Sequence, residues 1–105
     1  MTSSAPSGPA GPVLSQETQD FLAALASPTR QAILALFARG AELSVGEVAE
    51  QAGLGQSTAS EQLKALRRAG TVLSRRDGKT VLYRADREGM TRVLADLQDY
   101  LRTCC

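Results

Sequence analysis

The chain has 105 residues, 43% hydrophobic and 22% charged, with 12 Lys+Arg against 11 Asp+Glu for a net charge of +1, which suits one small globular domain. It contains no histidine, which excludes a Ser-His-Asp triad, a Cys-His dyad and a His-ligated zinc site, and no acid/base pair or phosphate loop points to an enzyme. The balanced net charge gives no overall excess for binding phosphate, but residues 55–87 hold eight cations and three anions, whereas residues 1–54 hold two and five.

Residues 1–14 are expected to form a disordered leader. Residues 1–12 contain three of the four prolines, two glycines, three serines and no charge, a composition that cannot bury a core. They lack the basic and apolar regions of a secretion signal, and the longest apolar run, Ala32 to Ala38, is too short to span a membrane. A cytoplasmic protein with no membrane contact is expected. Residues 15–105 form the single folded domain.

From Ser15 onward, Phe21, Leu22 and Leu25 mark a short amphipathic helix ending near Ala26. Ser27 caps the next helix and Pro28 takes its favoured first position. This second helix is predicted to run to Gly40, with Ile33, Leu34, Leu36 and Phe37 covering more than one face, as in a central core helix. Ser44-Val45-Gly46-Glu47 is a capping box opening a third helix that Gly53 stops. A fourth helix follows from about Gln56 to Ala69. Two helices joined by a short glycine-containing connector make a helix-turn-helix candidate.

After Gly70 the period changes from helix to strand. Asp77-Gly78 between two β-prone runs, Val72 to Arg76 and Lys79 to Arg84, signals a tight hairpin. A last helix from about Arg87 to the end places Met90, Val93, Leu94, Leu97, Leu101 and Cys104 at steps of three and four. So long a stripe on so small a domain is more easily buried against a second copy, with help from the first helix. The fold class is therefore mainly α with a β-hairpin wing (α+β), a winged helix-turn-helix dimerising through its first and last helices.

On the fourth helix, the face opposite Ala59, Leu63 and Leu66 carries Ser57, Ser60, Glu61, Lys64 and Arg68. Hydroxyls near the start and cations near the end suit a helix that enters a major groove, reading base edges first and meeting phosphates with Lys64, Arg67 and Arg68. Gln56 and Gln62 can pair with adenine, and Glu61 can accept from cytosine. Thr58 completes the candidate set on this helix. Arg75, Arg76 and Lys79 surround the hairpin turn, where a packed core requires no cations. The bland alternatives are a solvated helix face and a charged tip that discourages edge pairing; the adjacency of the two clusters favours double-stranded DNA.

The stretches Leu25-Ala26-Ser27-Pro28-Thr29-Arg30-Gln31-Ala32-Ile33-Leu34, Gly55-Gln56-Ser57-Thr58-Ala59-Ser60-Glu61-Gln62-Leu63-Lys64-Ala65-Leu66 and Ala69-Gly70-Thr71-Val72 closely resemble the ArsR/SmtB family of bacterial metal- and metalloid-responsive repressors. The resemblance covers about residues 15–103 and implies a winged helix homodimer that an inducer releases from a palindromic operator. Departures from the family are equally informative. The thiol positions of the third-helix Cys-x-Cys site are Ser44 and Gly46, and the zinc site of the last helix needs histidines that this chain lacks. The family's Ser-x-His-Leu in the recognition helix reads Ser60-Glu61-Gln62-Leu63, so base preference does not transfer.

Cys104 and Cys105 remain. Adjacent cysteines seldom bridge each other, so both are expected as free thiols. A subset of arsenic-responsive family members resembles this chain in ending the last helix with a Cys-Cys pair, followed there by a third cysteine. Soft, thiophilic As(III) and Sb(III) suit thiolate ligands, and a two-thiol site suits a methylated As(III) species or one that borrows a third thiol. The alternatives are a thiol redox switch, a small hydrophobe ending the apolar stripe beside a frayed terminal residue, a DNA-binding regulator with no small inducer, and a winged helix protein-interaction module. No cofactor is required for folding.

Overall fold

Serine caps set the first two helices. Ser15 Oγ accepts from the Thr18 N–H at 3.2 Å to open α1 (Gln16–Leu25), and Ser27 Oγ accepts from the Arg30 N–H at 3.3 Å to open α2 (Pro28–Ala35). The computed structural model describes residues 13–105; most of the expected leader lies outside them, and Val13 and Leu14 have no regular secondary structure. Helix α2 is shorter than its apolar pattern suggests. It ends at Ala35 and gives way to a 3₁₀ turn, Ala38–Gly40, in which Arg39 and Gly40 have φ of 63° and 76°. Consecutive left-handed residues cannot continue a right-handed helix, and they turn the chain into β1 (Leu43–Ser44).

β1 is the element that sequence reasoning missed, because two residues are too few to show a period of two. It pairs antiparallel with β3 (Thr80–Ala85), Leu43 opposite Tyr83, and β3 pairs with β2 (Val72–Asp77), so the wing is a three-stranded sheet of order β1-β3-β2. Asp77 pairs with Thr80, which moves the loop one residue beyond the expected Asp77-Gly78, to Gly78 and Lys79. Gly78, at φ 64°, takes the first loop position, where the strand twist calls for positive φ.

Ser44 ends β1 and also caps α3 (Val45–Ala52) through the expected capping box with Glu47. Gly53, at φ 69°, stops α3, and the Leu54 N–H returns to the Ala49 carbonyl at 2.9 Å. Helix α4 (Gln56–Arg68) then starts after a three-residue connector. Its end is fastened by Thr71, fully buried, whose N–H and hydroxyl both donate to the Leu66 carbonyl at 3.0 and 2.9 Å.

One contiguous core joins α2, α3, α4 and the sheet: Ile33, Phe37, Val48, Leu63, Leu66 and Val72 are all at most 2% exposed. Each such side chain contributes roughly 1.5–3 kcal/mol by burial. Helix α5 (Arg87–Cys104), capped by Asp86, packs on α1 away from this core. There Asp96 accepts from the buried Thr18 hydroxyl at 2.7 Å and from the Ser15 N–H at 3.1 Å, and Arg92 pairs with Glu17 at 3.1 Å. Val93 is buried, but Leu94 and Leu101 remain 54% and 52% exposed.

Candidate nucleic-acid interface

The buried Ala59, Leu63 and Leu66 fix the rotation of α4 against the core. Its opposite side exposes Gln56, Ser57, Thr58, Glu61, Lys64, Arg67 and Arg68, with Ser60 half-buried. The hydroxyls and Gln56 occupy the first turn or so, where free backbone N–H groups favour negative charge, and the arginines occupy the last, where cations complement the helix dipole. Such a face offers short hydrogen-bonding groups at one end and long cationic reach at the other. Among the described residues Lys64, Arg67, Arg68, Arg76 and Lys79 form no ion pair, so their charge is available to a ligand.

Two predicted contact residues are engaged elsewhere. Gln62 is half-buried, and its Oε1 accepts from Arg30 Nη1 at 3.2 Å, while Arg30 Nε donates to the Ala24 carbonyl at 2.7 Å. Arg30 therefore bridges the end of α1 to the recognition helix, and Gln62 serves that bridge. Arg75 forms a two-pronged pair with Glu42, Nε to Oε2 at 2.7 Å and Nη2 to Oε1 at 2.8 Å, with Arg84 Nε at 4.0 Å from the same carboxylate. The hydrogen bond from Arg75, with its charge, holds the Glu42 carboxyl below its ordinary value.

Register explains the loss of Arg75 from the tip. Alternate residues of a strand face opposite sides. Arg75 lies opposite Leu82 and shares the outer face with Arg84, and Glu42 enters β1 on that face because Leu43 faces inward with Tyr83. Arg76 falls on the other face, with Val81. Neither Arg30 nor Glu42 stood out in the sequence, since their partners are 32 and 33 residues away and no local pattern signals the pairing.

Where free thiols are expected, the sulfurs of Cys104 and Cys105 lie against each other at the end of α5. Cys105 is the C-cap of α5, its N–H donating to the Leu101 carbonyl at 3.3 Å. Among the described residues no three His, Cys, Asp or Glu side chains cluster to hold a metal, and no helix is long and apolar enough to cross a membrane.

Comparison with known proteins supplies the family. A helix-turn-helix domain model matches residues 25–75. The nodulation protein NolR of Rhizobium meliloti is 37% identical over 75% of this chain and 64% of its own length, so this chain spans under two thirds of that relative. The homodimeric winged helix-turn-helix DNA-binding domain of a possible ArsR-family regulator from Mycobacterium bovis superposes with a TM-score of 0.66 at 34% identity, over 82% of this chain and 79% of that one. A possible transcriptional regulator for arsenical resistance superposes with a TM-score of 0.67 at 32% identity, over 77% and 83%. With the helix-turn-helix, wing and outer helix pair all in place, this chain belongs to the ArsR family of winged helix transcriptional regulators.

Proposed function

We propose that the protein is a homodimeric, cytoplasmic repressor that binds a palindromic DNA operator and leaves it when trivalent arsenic or antimony, inorganic or methylated, binds Cys104 and Cys105. The observation that carries the DNA reading is the set of five cations on α4 and the wing that no carboxylate of the described residues neutralises. Gln56, Ser57, Thr58, Ser60 and Glu61 would read base edges, and Lys64, Arg67, Arg68, Arg76 and Lys79 would meet phosphates. The exposed Leu94 and Leu101 on α5 supply the dimer face, in keeping with the homodimeric relative. Two recognition helices then meet successive major grooves about 34 Å apart.

The inducer reading is supported by two sulfurs held at one point on the end of α5 and by the similarity to a possible transcriptional regulator for arsenical resistance. Both cysteines act as thiols, the state that a cellular thiol reductant maintains. The two thiols then displace two hydroxides of arsenous acid, forming two As–S bonds and releasing two waters. Because Cys104 is on the dimer helix, this ligation biases how the two copies pack. A coupling of about 1–3 kcal/mol weakens operator binding about 5- to 150-fold.

Operator binding of the reduced protein, titrated with arsenite, methylarsenite and zinc, tests this. Release by an arsenical, lost in Cys104→Ser/Cys105→Ser while operator affinity stays intact, is the expected result; release from the double mutant sinks the site assignment. The contact between the two sulfurs favours a second reading, a thiol redox switch. Release on oxidation, with no response of the reduced protein to arsenicals, would select it.

A further inference from the structure

We propose that Glu42 is an internal stand-in for DNA phosphate that sets how much charge the wing presents. By holding Arg75 and attracting Arg84, it keeps two wing cations from the duplex and leaves contact to Arg76 and Lys79. This inference rests on the DNA-binding reading above.

The geometry is that of phosphate recognition turned inward. A guanidinium fork meeting two carboxylate oxygens at 2.7 and 2.8 Å is the arrangement that arginine adopts on phosphate oxygens. The contact spans the whole sheet: Glu42 precedes β1, Arg84 lies on β3 and Arg75 on β2, and all three share the outer face. Arg75 and Glu42 side chains are 50% and 30% exposed. The pair therefore sits in solvent, where ion pairs are weak and exchangeable, so a phosphate competes with the carboxylate on nearly equal terms. Competition of this kind tunes affinity several-fold and does not abolish binding. The neighbouring Arg76 and Lys79, equally exposed on the hairpin, have no such internal partner among the described residues.

The test compares wild type, Glu42→Gln, Arg75→Lys and Arg75→Ala/Arg84→Ala, with and without Glu42→Gln, for binding to a random-sequence duplex from about 50 to 200 mM salt. Glu42→Gln is expected to bind about 3- to 10-fold more tightly, with a salt dependence steeper by about 0.9 in log–log slope for each phosphate gained. Arg75→Lys keeps the charge but breaks the fork, and it is expected to tighten binding as well. In the Arg75→Ala/Arg84→Ala background, Glu42→Gln should change nothing. Thermal melts confirm that each variant is folded, and Arg75→Lys serves as the independent readout if Glu42→Gln is not. Unchanged or weaker binding of folded Glu42→Gln and Arg75→Lys, with an unchanged slope, overturns the role of Glu42 while leaving the DNA reading standing. Wild type that shows no salt-dependent binding overturns both.

Discussion

Helices α4 and α5 are both amphipathic, and each leaves one face uncovered in the protomer, but the two uncovered faces have opposite chemistry. The face of α4 carries hydroxyls and unpaired cations, whereas that of α5 carries Leu94 and Leu101 at 54% and 52% exposure. A scattered exposed leucine needs no explanation. Two that share one line of α5, about 90° around from the buried Val93, with Leu22 of α1 also exposed, form a stripe that water covers at a cost. An uncovered face thus announces its partner by what it exposes: cations for a polyanion, leucines for another apolar surface.

The largest effect is expected where the two faces depend on each other. Leu94→Glu with Leu101→Glu places like charges across the proposed seam, so light scattering should report a monomer. Loss of the second half-site should then weaken operator binding by more than about 100-fold, although neither residue touches DNA. A variant that stays dimeric would break the assignment of the α5 face. Removing cations from the other face is expected to act more gently. Arg76→Ala with Lys79→Ala should weaken binding about 10- to 100-fold in moderate salt and flatten the salt slope by up to about 1.8 per protomer. Equal loss on operator and random duplex would mark these as phosphate contacts. A loss confined to the operator would make them base readers.

The contrast between α4 and α5 was legible from the sequence because both helices have long amphipathic periods, and Gly53 and Gly70 bracket α4. The capping box at Ser44 and the hairpin were legible for the same local reason. What escaped were features made by distant pairing. The two-residue β1 exists only because β3 offers it a partner, and α2 ends early as its last turn tightens, the Leu36 N–H bonding to the Ile33 carbonyl and the Phe37 N–H to the Leu34 carbonyl, ahead of the positive φ of Arg39 and Gly40. Arg75 and Gln62 read as DNA contacts by residue type and position, and the sequence did not show their partners within the chain, Glu42 brought up by the sheet register and Arg30 of α2. Cys104 and Cys105 were legible as a pair of sulfurs, but the contact between them was not.

Arg30 offers a sharper cut between the faces, because among the described residues it alone hydrogen-bonds both the α1 terminus and α4. Arg30→Ala leaves the Ala24 carbonyl and Gln62 without that partner and should cost roughly 1–3 kcal/mol of stability. If the bridge also fixes the setting of α4 relative to the dimer helices, operator discrimination should fall more than random-duplex affinity. Equal loss on both duplexes would reduce Arg30 to a purely structural tie.

The smallest expected effect lies entirely on the α1–α5 side. Asp96 is held below its ordinary carboxyl value first by the Thr18 hydroxyl and then by the Ser15 N–H. A carboxyl whose folded pKa is depressed contributes stability that is fully present above its unfolded value, about 3.9, and is lost as pH falls through the folded value. Asp96→Asn should therefore melt below wild type at pH 7, and the gap should shrink below about pH 4 as the wild-type carboxylate gains its proton. Because Thr18 is fully buried, its hydroxyl still needs an acceptor, and the asparagine carbonyl can supply one, so the neutral-pH gap measures the charge of the acceptor more than its presence. A gap of equal size at pH 7 and pH 3 would assign the loss to packing between α1 and α5. In that case Asp96 would hold the outer helix pair by its shape and not by its charge.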